Sequence, residues 1–232
     1  MCFTNISYFN QQGFFSEACK DSVFYLDNGT TAVYSLADGV NSKKFSKEGA
    51  QAIQEEIAMY FLQDPSFLFT SPISWVKLTI IEKIKETLRY LSRETTPASE
   101  FASTLLFVAI SKTYNKCLWF HIGDGVILKE GNSLDSTVEI LSHAHHGITS
   151  QYTYTTFHKP LRRYMHCGTE NLQHLKKLVL ATDGAIHPYY SDYLLSKKGQ
   201  FLFKKGLSAV YEDLQNHCPK DDYSMLEISF TD

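Results

Sequence analysis

The 232-residue chain is poor in arginine, with only Arg89, Arg93, Arg162 and Arg163. Arginine grips phosphate and carboxylate in a fixed two-pronged geometry, so recognition of such groups has few of these grips to draw on. Basic residues number 22 against 25 acidic ones, a net charge of −3, and no basic cluster stands out. A nucleic-acid binder carries a basic surplus gathered on one face, so nucleic acid is not expected as a partner. No apolar stretch approaches the ~20 residues that cross a bilayer, and no membrane association is expected. The opening MCFTNISYFN has neither a basic flank nor a long apolar run, so no signal peptide is expected. The five cysteines (Cys2, Cys19, Cys117, Cys167, Cys218) are odd in number, scattered, and form no C-x-x-C pair. They read as reduced thiols in a cytoplasmic protein, not as a disulfide framework or a zinc site.

What is present suits a soluble globular protein: 44% hydrophobic and 20% charged residues. The length allows one sizeable core, and with no repeat, low-complexity tract or linker, residues 1–232 read as a single domain. Residues 23–26 (VFYL) and 32–36 (AVYSL) are β-rich, and Asn28-Gly29 between them favours a tight hairpin with positive backbone angles. From Ser46 to about Leu62, Ala50, Ile53, Ile57 and Phe61 recur at helical spacing, with Ser46 as the N-cap. Over 73–91, Ile73, Val76, Ile80, Ile84, Leu88 and Leu91 make one apolar stripe, the mark of a helix covering a sheet. Residues 93–100 read as a loop, and 104–110 and 116–125 as strands. The polar, aromatic block 131–170 reads as an irregular loop or flap. Residues 176–188 hold a short buried strand, 200–215 a helix, and Leu226, Ile228 and Phe230 alternate along a closing strand.

Acidic residues recur at strand ends. Asp38-Gly39 follows AVYSLA, Asp124-Gly125 follows LWFHIG, and Asp183-Gly184 follows LVLAT. Asp221-Asp222 stands just before the last strand, and Asp21 just before the first. Strand ends on a rigid sheet hold side chains more firmly than loops do, and a glycine after the aspartate lets the backbone turn tightly. One Asp-Gly after a strand is ordinarily a turn; three, with a pre-strand Asp-Asp, raise the prospect of convergence. Carboxylates gathered without His or Cys partners repel one another unless a cation sits among them. All-oxygen sites suit hard ions such as Mg²⁺ or Mn²⁺. Two such ions about 3.5–4 Å apart can share a water, lower its pKa and aim it at phosphorus.

In their order these segments resemble the metal-dependent PP2C-type (PPM) protein phosphatases, particularly the compact bacterial branch. The segments that carry the likeness are KDSVFYL, LADGVNSKKFSKEGA, ASTLLFVAI, FHIGDGVILKEG (read as a hairpin), LVLATDGAIH and KDDYSMLEI, all within residues 17 to 230. The resemblance implies an α/β (α+β) fold, a four-layer αββα sandwich of two antiparallel sheets flanked by helices. It implies Mn²⁺ or Mg²⁺ as cofactor, two ions and a third at a weaker site. Asp38 would bridge both metals and the Gly39 carbonyl would bind one. Asp21 would bind one chiefly through water, Asp183 and Asp221 would complete the second site, and Asp124 matches the third-metal position. Asp222 would support the site from behind. The implied activity is hydrolysis of phosphoserine or phosphothreonine in a protein by metal-activated water, without a phosphoenzyme. A phosphorylated protein substrate and a cognate serine/threonine kinase are the implied partners, and a monomer the expected state.

The chain departs from the family pattern in places. Ser16 stands where an arginine commonly grips the substrate phosphate, and Val40 where some members carry histidine. Gly125-Val126 replaces Ser-Arg after Asp124, and Lys20 replaces the acidic neighbour of Asp21. Lys43, Lys44, Arg162 and Arg163 are candidates for the phosphate grip, though each also reads as ordinary surface charge. These departures keep open a pseudophosphatase or phosphoprotein-binding module, and hydrolysis of a small phosphate ester. Other signals are set aside. LDNGTT (26–31) lacks the second aspartate of a haloacid-dehalogenase-type loop and reads as the hairpin turn. His143 and His145 in HAHH have no third ligand at zinc spacing. No cysteine is followed by the anion loop of a thiol phosphatase, and no G-x-x-x-x-G-K-[ST] nucleotide loop occurs. Tyr152, Tyr154 and Phe157 are read as packing of the flap, and His121 as an ordinary strand residue.

Overall fold

The computed structural model describes residues 2–92, 96–133, 136–145 and 153–231, with backbone alone at 2–4 and 231. In chain order the first half runs β1 (Cys2–Gln11), β2 (Ser22–Asp27), β3 (Thr31–Ala37), α1 (Ser46–Gln63), α2 (Pro65–Thr70) and α3 (Ile73–Leu91). It continues with β4 (Leu105–Ser111), β5 (Lys116–Ile122), β6 (Val126–Gly131) and β7 (Val138–Ser142). Then come α4 (Leu161–Tyr164), β8 (His166–Asn171), β9 (Leu175–Ala181) and α5 (Asp183–Ile186). The chain closes with the small hairpin β10 (Tyr190–Ser191) and β11 (Leu194–Leu195), then α6 (Lys197–Lys205), α7 (Leu207–His217) and β12 (Tyr223–Thr231).

Ten of these strands build two antiparallel five-stranded sheets, in the orders β2-β3-β4-β5-β8 and β1-β12-β9-β6-β7. β4, LLFVAIS, is buried along its whole length because both of its faces are covered. Leu105, Phe107 and Ala109 point to the helices and pack with Ile53, Ile57 and Phe61 of α1 and Val76, Ile80 and Ile84 of α3. Leu106, Val108 and Ile110 point the other way, against Leu178, Leu180, Leu226 and Ile228 of the second sheet. The outer face of that sheet, with Leu128, Val179 and Met225, is covered by Phe203 of α6 and Val210 and Leu214 of α7. Three apolar layers between four structural layers give the expected αββα sandwich. Each large side chain taken from water contributes about 1.5–3 kcal/mol to holding it together.

The apolar stripe over 73–91 is α3 to the residue, and its Val76, Ile80, Ile84 and Leu88 are buried. Other expectations are corrected. Phe45, not Ser46, caps α1, and Ser46 is its first residue, with its hydroxyl donating to Lys43 O at 3.3 Å. The hairpin at Asn28-Gly29 forms, but only Gly29 takes a positive φ, +89°. Asn28 instead uses Oδ1 to accept from the N–H groups of Thr30 and Thr31 at 3.1 and 2.9 Å. The helix read over 200–215 is two, α6 and α7, broken at Gly206 with φ +108°. Block 131–170 is not wholly irregular, since β7, α4 and most of β8 lie in it. Residues 93–95 of the expected loop, and His146 and Tyr152, lie outside the described residues.

The strand read over 116–125 stops at Ile122, where Gly123 turns with φ +119°. The expected hairpin there is instead a crossing: β5 belongs to one sheet and β6 to the other. Asp124 sits in that crossing, at the same end of the sandwich as the last residues of β3 and β9.

Candidate metal centre

Asp38 is delivered by β3 and locked by residues 102–104, which lead into β4. Its N–H donates to Thr104 Oγ1 at 2.8 Å, and Thr104 N–H donates back to Asp38 O at 2.8 Å. Gly39 bridges to Ser103, and Val40 N–H donates to Ala102 O at 3.2 Å. Asp183 follows β9 at the start of α5, with Oδ1 accepting from Gly184 N–H at 2.7 Å. Asp124 accepts on Oδ2 from the Thr153 hydroxyl. One carboxylate oxygen from each of Asp38, Asp124 and Asp183 lies within 4.8 Å of the others.

The glycines after these aspartates do not serve as left-handed turns, contrary to the tight-turn expectation: neither Gly39 nor Gly184 has a positive φ. They make room. A Cβ on Gly184 would lie 2.1 Å from Asp222 O, and one on Gly39 would lie 2.9 Å from Lys20 O. The Asp-Gly pairs are places where another segment's backbone presses against the carboxylate-bearing corner.

Asp221 lines the same cavity as the three gathered aspartates, with Oδ1 accepting from Asn41 Nδ2 at 3.0 Å. Asp222 turns its carboxylate to backbone donors instead, Gly13 N–H at 2.9 Å and Lys20 N–H at 2.7 Å, and so pins the N-terminal segment to the start of β12. Asp21 is fully buried; Thr182 Oγ1 lies 3.1 Å from its Oδ2 as donor, while Oδ1 has no hydrogen-bond partner among the described residues.

These carboxylates are electrostatically uncomfortable together. Burial, followed by the charges of Asp21, Asp183, Asp124 and Asp221, holds Asp38 well above the usual carboxylate range. Burial, then Asp124 and Asp221, pushes Asp183 up to about 8. Burial also raises Asp21 to about 7. In the low dielectric between two sheets such a group sheds its repulsion by taking up protons or a cation. An all-oxygen donor set with a buried, unpartnered carboxylate oxygen behind it fits hard divalent ions.

The cavity has a volume of about 830 Å³ and is walled by Asp38, Asp124, Asp183 and Asp221 on one side and Phe157, His158 and Lys159 on another. Ser16, at the expected arginine position, borders Asp221 in an adjoining concavity with Lys20 and Lys220. Of the cations considered as its replacement, Lys43 lines the cavity but pairs with Glu100 at 3.2 Å. Lys44 Nζ lies 5.0 Å from the centre of the Phe45 ring, and Arg162 lines a neighbouring groove.

Three contributors were not foreseen from sequence. Thr104 fixes Asp38, and the Ser-Thr pair opening strand 104–110 is the only signal that marks it. Lys20 Nζ donates to Asn41 O and Lys43 O, both at 2.7 Å, and so ties down the loop after Asp38-Gly39. Lys159 lines the cavity from inside the polar block, where nothing in the pattern distinguishes it. The histidines form a cluster of rings and not a ligand set, with the His121 and His145 ring centres 5.7 Å apart. His145 stacks on His166 with ring centres 3.5 Å apart, and His121 Nδ1 lies 2.8 Å from Ser142 Oγ. The gathered candidate ligands among the described residues are the three aspartates. Tyr154 stacks on Tyr164 at 3.9 Å, as flap packing requires, whereas Phe157 borders the cavity.

A family model described as protein phosphatase 2C matches residues 16–217. No curated protein sequence matches the chain. Among solved structures, the serine/threonine phosphatase Stp1 from Staphylococcus aureus is similar with a TM-score of 0.72 at 14% identity, covering 100% of this chain and 96% of that one. The S. agalactiae serine/threonine phosphatase gives 0.72 at 16% identity, covering 98% and 99%. RsbX in complex with magnesium gives 0.63 at 15% identity, covering 97% and 94%.

Proposed function

The chain belongs to the protein phosphatase 2C family, and from that premise we propose that it hydrolyses phosphoserine and phosphothreonine in proteins, using Mn²⁺ or Mg²⁺ held at the aspartate cluster. The observation that carries this reading is the meeting of Asp38, Asp124 and Asp183 from two different sheets. Asp38, with the Gly39 carbonyl, Asp183 and Asp221 would hold two ions, with Asp21 behind them and Asp124 offering a third position. When bound, such ions supply a nucleophilic water at neutral pH and offset the charge of the phosphate.

The chain's own residues do the rest. Thr104 and Lys20 hold the Asp38 loop in place before substrate arrives, so little reorganisation is left for the reaction. Phe157 lines one side of the cavity with an apolar ring. With Lys43 engaged by Glu100, Lys159, which also lines the cavity, would meet the phosphate. The phosphoryl group passes directly to water, with no covalent intermediate on the chain. RsbX, of the same fold, is described with magnesium, which supports a hard divalent ion here. The gathered carboxylates favour turnover over a binding-only role. On this reading residues 1–232 act as one domain in the cytoplasm, opposing a serine/threonine kinase. Among the described residues no helix is long and apolar enough to cross a membrane.

The test is phosphopeptide hydrolysis with and without Mn²⁺, beside Asp38→Asn. Wild type turns over only with metal, and the variant loses on the order of a thousandfold in kcat/KM, the scale of several kcal/mol of electrostatic stabilisation. Turnover in excess chelator, or an active Asp38→Asn, removes the mechanism.

A further inference from the structure

A second concavity of about 670 Å³ opens beside the aspartate cavity and shares Phe157, His158 and Lys159 with it. One wall is α3, which contributes Leu78, Ile81 and Leu88; the other is the segment from Phe157 to Arg162. Leu78 and Phe157 remain 42% and 39% exposed, so the groove presents apolar surface to whatever enters it. Its rim is cationic: Lys85, Arg89, Lys159 and Arg162 stand against a single acid, Glu82. Glu82 is shared between Lys85 at 2.7 Å and Arg89 at 3.9 Å. Among the described residues Lys159 and Arg162 have no ion-pair partner. This local excess of positive charge runs against the chain's net −3.

We propose that the groove receives the substrate polypeptide next to its phosphorylated residue and selects segments that combine an apolar side chain with acidic or phosphorylated neighbours. The proposal rests on the phosphatase reading of the adjoining cavity. Continuity supports the occupant: a chain whose phosphate sits against the aspartates passes Lys159 and Phe157 and enters the groove. Charge complementarity supports its chemistry, because a cationic rim raises the local concentration of acidic segments and disfavours basic ones. The volume lies within the ~300–1,000 Å³ of pockets that bury a small ligand or a short stretch of peptide.

The experiment compares two phosphopeptides that differ only in acidic or basic flanks, with p-nitrophenyl phosphate as a substrate too small to fill the groove. Wild type and the double variant Arg89→Gln/Arg162→Glu are assayed with Mn²⁺, and anisotropy of the labelled acidic peptide is read in parallel without turnover. Wild type should prefer the acidic peptide by about tenfold in kcat/KM, mostly through KM, with the preference shrinking in high salt. In the variant that preference collapses, and the peptide's dissociation constant rises by a similar factor. Equal preference in wild type and variant overturns the proposal. If p-nitrophenyl phosphate is not hydrolysed at all, the phosphatase reading fails, and anisotropy alone decides the groove: unchanged affinity in the variant overturns it, weakened affinity supports it. If the variant changes self-association and leaves peptide affinity alone, the groove belongs to a second copy and the proposal is overturned.

Discussion

Without metal, the aspartate cluster should make the protein less stable as pH rises, and Asp21→Asn should remove part of that loss. Asp21 has a folded pKa of about 7 against an ordinary 3.8, raised first by burial. At Asp21 the folded state therefore binds more protons than the unfolded one between those values, so this group's contribution to stability falls with rising pH across that window and levels off above it, while Asp183 and Asp38, raised further, continue the decline. At 1.36 kcal/mol per unit, this one group costs about 4 kcal/mol over the full window, of which roughly 2–3 kcal/mol falls between about pH 5 and pH 8. For a chain of this length that is a drop of roughly 5–10 °C in Tm. Asp21→Asn keeps an acceptor for the Thr182 hydroxyl but carries no charge, so the chelator-treated variant should be the more stable protein near pH 8 and show a flatter profile. Saturating Mn²⁺ should restore wild type, since ion at about 100 times its Kd contributes about 2.7 kcal/mol. Scanning calorimetry with chelator and with Mn²⁺ reads all three effects. A metal-free wild type as stable at about pH 8 as at pH 5, or a variant no more stable than wild type, refutes the electrostatic account.

Gly184→Ala places a methyl group 2.1 Å from Asp222 O; overpacking of this kind costs about 1–3 kcal/mol, and because the displaced backbone carries Asp221, Mn²⁺ affinity should fall as well. Urea denaturation with calorimetric metal titration checks both. Thr104→Val removes the acceptor for the Asp38 N–H, leaving a donor unpaired at about 1–3 kcal/mol; stability and metal affinity should drop together, whereas a loss of stability alone would separate Thr104 from the site.

The parts of the fold legible in the sequence are those whose local pattern matches their final burial. α3 is one apolar stripe against one sheet, and β4 is an unbroken apolar run between two layers, so each announces itself. β1, β7 and β8 do not, and all three are edge strands. An edge strand has a neighbour on one side only; HCGTEN of β8 is half exposed and polar and looks like loop. The aspartates at strand ends stood out individually, and the family resemblance placed them in one site. What the pattern could not supply was their grouping: Asp124 stands with Asp38 and Asp183, while Asp221 lines the wall and is held by Asn41. Thr104 was marked only by its Ser-Thr pair, and Lys159 not at all, for the same reason. Their roles come from segments distant in sequence, the loop after β3 and the wall opposite the aspartates, and no local periodicity encodes such meetings.

The crossing at Gly123 to Val126 has a mechanical consequence. Asp38 is carried by one sheet and Asp183 by the other, so an ion held between them would work as a rivet through the sandwich. Sliding of one sheet over the other would pull the ligand cage apart along with the oily layer between Leu106 and Leu180. Occupancy of the cage and alignment of the sheets should then rise and fall together, and any agent that shears the sandwich from its far end can loosen the ion without touching it.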